Sequence, residues 1–87
     1  MGEQELLQFP CDFPIKVMGE RRDGFAEAIV ETVREHAPDF DAAAVEMRAS
    51  SSNRYLSVTC TIRATSREQL DDLYRALTSH PMVKVVL

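Results

Sequence analysis

The stretch Tyr55-Leu56-Ser57-Val58-Thr59-Cys60-Thr61-Ile62-Arg63-Ala64 decides the fold of this chain. Apolar residues at the even positions alternate with polar residues or a tyrosine at the odd positions. Because successive side chains of a β-strand point to opposite faces of the sheet, this alternation predicts a strand with one buried face and one open face. The polar run Ser50–Arg54 just before it predicts a turn.

Three other segments alternate in the same way, and the sequence predicts them to be strands: Asp12–Met18, Val45–Ser50 and Met82–Leu87. In the last segment the pattern places Lys84 and Val86 on the open face, and Val83, Val85 and Leu87 on the buried face. Strands with one apolar and one polar face are typical of an antiparallel sheet covered on one side.

An amphipathic helix is predicted after the first strand, because Phe25, Ile29 and Val33 recur at four-residue spacing. Asp23 is its predicted N-cap, and Pro38 is expected to end it.

A second helix follows the long strand, with an apolar stripe at Leu70, Leu73, Tyr74 and Leu77. Two overlapping capping boxes could begin it, Thr65 with Glu68 or Ser66 with Gln69.

The element order is therefore strand, helix, strand, strand, helix, strand. This order predicts an α+β fold, a ferredoxin-like βαββαβ sandwich whose antiparallel sheet has the order 4-1-3-2 and carries both helices on one face. Both crossovers are then right-handed. With 87 residues there is room for one domain, residues 11–87, preceded by a lead-in segment, residues 1–10.

The overall charge narrows the classes of partner. A net charge of −4 argues against nucleic acid and against anionic membranes as partners. No apolar run reaches the length of a membrane span, and the N-terminus lacks a signal-peptide layout, so we expect a cytoplasmic protein. Two cysteines are too few for a disulfide framework.

No metal or other cofactor is expected. The spacings among Cys11, Cys60, His36 and His80 match no zinc site. Cys60 lies on the inward face of its strand, where a free cysteine behaves as a small hydrophobic residue. A nucleophilic thiol is therefore not expected at that position.

The loop Gly19–Gly24 is a candidate anion site, because it joins a strand to the N-terminus of a helix and contains Arg21, Arg22 and Gly24. Acylphosphatases hold phosphate at a comparable place in this fold. They also need an asparagine on the following strand, whereas Val45–Ser50 has none and Asn53 falls in the turn. Arginines that simply face solvent are the alternative interpretation.

The open face of the sheet is the other candidate site. Two helices cannot cover both faces, so the open face meets either solvent or a protein. The residues that we predict to form such an interface are Tyr55, Ser57, Thr59, Arg63, Lys84 and Val86. Strands two and four are the edges of a 4-1-3-2 sheet, and an edge offers unpaired backbone groups to a second copy or to another protein.

An ordered set of short motifs along nearly the whole chain resembles the YbeD family of small bacterial proteins. These motifs are Phe9-Pro10, Phe13-Pro14, Lys16-Val17-Met18-Gly19, His36-Ala37-Pro38, Ser51-Ser52, Tyr55-Leu56-Ser57-Val58, Glu68-Gln69-Leu70, Leu73-Tyr74, Leu77, Val83 and Val86-Leu87. The resemblance implies the same topology and a similarity to ACT-type regulatory domains. It also implies a link to lipoate metabolism, since some members are described as lipoate regulatory proteins.

The sequence therefore favours a non-catalytic cytosolic regulatory or binding module that acts through a protein partner, through itself or through a small metabolite. ACT domains usually bind an amino acid near a glycine-containing loop after the first strand, where Gly19 lies in this chain. The alternative is a small acyl-phosphate hydrolase or anion-binding domain centred on the Gly19–Gly24 loop.

Overall fold

The computed structural model describes residues 8–87. The elements are β1 (Cys11–Glu20), α1 (Phe25–His36), β2 (Glu46–Ala49), β3 (Tyr55–Ala64), α2 (Arg67–Thr78) and β4 (Val83–Val86). A short 3-10 helix, Ala42–Ala44, lies between α1 and β2. Of the predicted lead-in, residues 1–7 lie outside the described part of the chain, and residues 8–10 come directly before β1.

The four strands form one antiparallel sheet in the order β2-β3-β1-β4, which confirms the predicted order and the ferredoxin-like fold. β1 and β3 form its centre and pair along ten residues each, from Cys11 opposite Ala64 to Glu20 opposite Tyr55. β1 is therefore longer than predicted, because the ladder with β3 continues through Gly19 and Glu20. The connection to α1 shrinks to the four residues 21–24.

The core lies between the sheet and the two helices. Val58 and Cys60 are fully buried and Ile62 almost so, while Thr61 and Arg63 are exposed, which confirms the predicted register of β3. The buried helix residues are Phe25, Ile29 and Val33 from α1 and Leu70, Leu73 and Leu77 from α2.

The observed register of β4 corrects the faces that were predicted for its residues. Its register against β1 shifts between Met18 and Gly19, so that Val86 lies opposite Val17 and Val85 lies opposite Met18. Val17 is buried, and Val86 packs against the core, so the prediction of an open-face Val86 is wrong. The cause is a bulge, which adds a residue to one strand and reverses the alternation beyond it. Val85 and Leu87 lie on the open face instead, so the buried positions predicted for these two residues are wrong as well.

The start of α1 also differs from the prediction. Gly24 rather than Asp23 is the N-cap, and no side chain caps the helix. Phe25 N–H donates to the carbonyl oxygen of Arg22 at 3.2 Å, closing a turn that holds Gly24 at φ 84°. Glycine adopts this left-handed conformation without the steric cost that Cβ imposes on other residues.

At α2 the structure decides between the two capping boxes. Ser66 is the N-cap, and its hydroxyl accepts from Gln69 N–H at 3.0 Å. The Gln69 side chain reaches back to accept from Thr65 N–H at 2.7 Å, and its amide nitrogen donates to the carbonyl oxygen of His36 at 2.8 Å. Gln69 therefore joins the start of α2 to the last residue of α1.

Candidate functional site

The residues predicted to form an interface on the open face of the sheet differ in exposure and in their contacts. Tyr55 is exposed, whereas Ser57 and Thr59 are half-buried. Arg63 forms an ion pair with Asp12 at 3.5 Å. An exposed ion pair of this kind contributes little to stability, so Arg63 and Asp12 stay available for contacts with a partner.

Lys84 lies at the edge of the sheet, where its ammonium is 4.0 Å from the carboxylate of Glu20. A single lysine gives weak protection against pairing with another strand.

An apolar strip crosses this face from β3 to the end of β4, and we define the β4 strip as Tyr55, Met18, Val85 and Leu87. Met18 lies opposite Val85 of β4 and opposite Ser57 of β3, and Tyr55 is on the same face two residues before Ser57. Leu87 exchanges both backbone hydrogen bonds with Lys16, at 2.8 and 3.2 Å, which places it on the open face. Val85 is 44% exposed, Tyr55 39% and Leu87 63%.

The backbone of β4 adds a second kind of contact to the strip. Because the backbone groups of Leu87 point toward β1, those of Val86 point away from the sheet. Within residues 8–87, β4 pairs only with β1, so its outer side is an edge. An apolar strip next to an unpaired strand edge suits the addition of a strand from another chain.

The two arginines of the β1–α1 connection differ in their position relative to the nearest cavity. Arg21 lines a cavity of about 470 Å³ with Asn53 and Arg54 of the β2–β3 turn, together with Glu20 and Tyr55. Arg22 is not among the lining residues. The Arg21 backbone N–H donates to the carbonyl oxygen of Arg54 at 2.8 Å, so that amide is already used.

The sequence interpretation missed Arg54 as a candidate residue. The antiparallel pairing of β1 with β3 brings the end of β1 to the β2–β3 turn. That proximity was the signal that could have grouped Arg21 with Arg54 and Asn53.

Gly19 is required by packing, because there is no room for a side chain at this position. A Cβ there would contact the carbonyl oxygen of Met82 and lie 2.6 Å from the Phe25 ring. The ring and the β4 lead-in therefore occupy the space that a ligand would need in front of this glycine.

The two cysteines differ in environment. Burial raises the pKa of the Cys60 thiol to about 11, which keeps it protonated and unreactive near neutral pH. Cys11 is partly exposed.

In the described part of the chain no cluster of three or more His, Cys, Asp or Glu residues is arranged to hold a metal. No helix of residues 8–87 is long and apolar enough to cross a membrane.

The profile of the family "Protein of unknown function (DUF493)" matches residues 4–87. The chain belongs to this family. It is 53% identical over its full length to a UPF0250 protein of Nitrosomonas europaea, with both chains covered completely. It is 61% identical over 84 residues to a UPF0250 protein of Paraburkholderia phytofirmans, covering 97% of this chain and 94% of the relative. The predicted resemblance to the YbeD family is confirmed.

Solved structures agree with the fold of this DUF493 chain. The protein HP0495 of H. pylori superimposes with a TM-score of 0.75 at 13% identity, covering 93% of this chain and 85% of the other. The ACT domain of a GTP pyrophosphokinase of Chlorobium tepidum gives 0.65 at 19% identity, covering 87% and 84%. At these identities the likeness shows the fold alone, which is ACT-like.

Proposed function

We propose that this DUF493 chain is a non-catalytic cytoplasmic regulatory module that binds a protein, either a partner or a second copy of itself, through the β4 strip and the β4 edge. The observation that carries the proposal is the coincidence of exposed Val85 and Leu87 with an edge strand. The ACT-like fold and the family membership are compatible with a regulatory role.

The size of the domain supports association. A chain of 87 residues buries a smaller share of its surface than a larger domain does, so its stability is modest. A strand added to β4 would satisfy the outward backbone groups of Val86 and cover Val85 and Leu87. The surrounding mixture of Lys16, Glu20 and other charges would form the polar rim of such an interface.

The test is sedimentation velocity over a micromolar range, with affinity capture from the native cell followed by mass spectrometry. Val85→Lys should abolish self-association or the capture of the partner, because it places a charge in the apolar strip. Thr61→Lys is the matched control, since Thr61 is exposed on the same face outside the strip. Both positions are exposed, so both variants should fold with stability within about 0.5 kcal/mol of the parent.

A protein that is strictly monomeric, and whose Val85→Lys variant retains every captured partner, would refute the proposal. The lipoate link implied by the family resemblance makes a narrower prediction, that the captured partner is an enzyme of lipoate metabolism.

Anion binding is the second candidate function, and the meeting of Arg21 with Arg54 and Asn53 at one cavity favours it. Guanidinium groups bind phosphate and carboxylate strongly. Neither guanidinium forms an ion pair within residues 8–87. Glu20 at the same cavity lowers the positive potential.

Titration with phosphate separates this candidate from the first. The amides of residues 21–25 and 53–55 should shift together, and Arg21→Ala combined with Arg54→Ala should remove the shifts. Arg22→Ala should leave them, since Arg22 lies outside the cavity lining. Uniform shifts over the surface would leave these arginines as solvent-facing charges. Hydrolysis of acetyl phosphate that is lost in the double variant would establish the hydrolase instead.

A further inference from the structure

A second surface of the molecule is a groove between α1 and β2, on the helix side of the sheet. Its volume is about 740 Å³, and its lining combines an apolar floor with a charged rim. The floor residues are Ala26, Val30, Ala42, Val45 and Met47, and the rim residues are Glu27, Glu31, Arg34 and Glu35. We call this surface the α1–β2 groove.

The groove exists because two helices do not complete the layer above four strands. α1 packs over β1 and β3, and α2 over β3 and β4. Met47 lies opposite the buried Val58 and so faces the helix side, yet it is 59% exposed. All four residues of β2 are exposed. The layer therefore has an empty place beside α1, above β2, of the kind that a third helix occupies in an α/β layer.

The charge of the rim is strongly one-sided. Glu27, Glu31 and Glu35 follow one another at four-residue spacing on α1, so they form one stripe along the groove. None of the three forms an ion pair within residues 8–87. Arg34 is the one basic residue of the lining. A stripe of like charges beside an apolar floor favours an occupant of opposite charge.

The chain itself has no segment that matches this requirement. Each of its two helices has more acidic than basic residues: three against one in α1 and three against two in α2. The sequence of residues 1–7 contains two glutamates and no lysine or arginine. A helix of a second copy, or the N-terminal segment, would thus bring net negative charge to a negative rim.

We infer that the α1–β2 groove receives a basic amphipathic helix of a partner protein. Its apolar face would cover Val30 and Met47, and lysines or arginines at three- or four-residue spacing would pair with Glu27, Glu31 and Glu35. Three turns of such a helix match the length of α1. This surface lies near the β2 edge, away from the β4 strip, so the inference stands independently of the proposed function.

The test uses a synthetic helical peptide of about 14 residues, with leucines in one stripe and lysines on both flanks. The expected result is a set of chemical-shift changes centred on the methyl groups of Ala26, Val30 and Met47. A peptide of the same composition with its leucines spread around the helix should bind about tenfold more weakly.

Charge reversal provides the matched variants. Glu27→Lys with Glu31→Lys should weaken binding by about tenfold or more, because it removes two pairs and adds two like charges. Glu68→Lys with Asp71→Lys makes the same change in net charge on exposed positions of α2 and should weaken binding by less than about threefold. Met47→Ser should also weaken binding without loss of folding, since Met47 is exposed.

Three results would overturn the inference. The first is shift changes centred on the open face of the sheet rather than on the groove. The second is an equal loss of binding in the α1 and α2 charge-reversal variants, which would show attraction by net charge alone. The third is a dimer of the chain in sedimentation that the α1 variant dissociates, which would show that a second copy covers the groove.

Discussion

Gly19 sits where β1 shifts its register against β4, and its missing side chain makes room for neighbouring atoms. The Phe25 ring, fully buried at the start of α1, would lie 2.6 Å from a Cβ at this position. Real Cβ atoms do not approach other atoms so closely, so a larger residue forces the ring or the strand to move. The packing of the Phe25 ring beside the bulge therefore requires a glycine at position 19.

We predict that Gly19→Ala destabilises the fold by about 2–3 kcal/mol, in the range of overpacked core positions. Gly24→Ala is the control, since the space around Gly24 is open and only its φ of 84° opposes a side chain. That substitution should cost about 1 kcal/mol. Urea unfolding measures both variants, and an equal or larger loss in Gly24→Ala would contradict the packing role of Gly19.

The buried thiol of Cys60 leads to a second prediction about a single residue, because burial raises its pKa from 9.0 to about 11. Above pH 9 the thiol ionises in the unfolded chain while the folded protein keeps its proton, so stability falls as the pH rises. At about pH 10 the loss should be about 1 kcal/mol. Cys60→Ala should remove this part of the pH dependence, and Cys11→Ala should retain it. Identical pH profiles in all three proteins would contradict the burial of the thiol.

At the scale of the elements, Gln69 links the two helices through its side-chain amide. We predict that Gln69→Ala costs about 1–2 kcal/mol, because it removes the bonds to Thr65 and His36. Glu68→Ala tests the other capping box that the sequence allowed, and it should change stability by less than about 0.5 kcal/mol. Thermal unfolding compares the two, and a larger effect of Glu68→Ala would favour the box formed by Thr65.

The strands show how far sequence alone predicts this fold. β3 was predicted correctly in extent and register, because ten alternating residues leave one possible assignment of faces. β4 was not, because Val83, Val85 and Val86 are equally apolar and nothing in their order reveals a bulge. The bulge also changes the candidate site, because Val85 rather than Val86 lies on the open face of the sheet. The groove beside α1 was also missed, since it depends on which strands the helices cover.

At the scale of the whole molecule, the helices cover only part of one face of the sheet and leave the other face open. The open face carries the β4 strip, and the helix side carries the α1–β2 groove. These surfaces differ in chemistry: the strip is apolar with a mixed rim, and the groove has an acidic rim.

Hydrogen exchange at the β4 edge tests the central claim most directly. Within residues 8–87 the outward N–H of Val86 has no strand to pair with, and it would become hydrogen-bonded after strand addition. Exchange is measured by NMR from micromolar to millimolar protein, and again with the partner obtained by capture. We predict that the Val86 amide becomes at least about tenfold more protected in one of these conditions, while the β2 edge amides of the protein alone do not change. An unprotected Val86 amide in every condition would contradict the account.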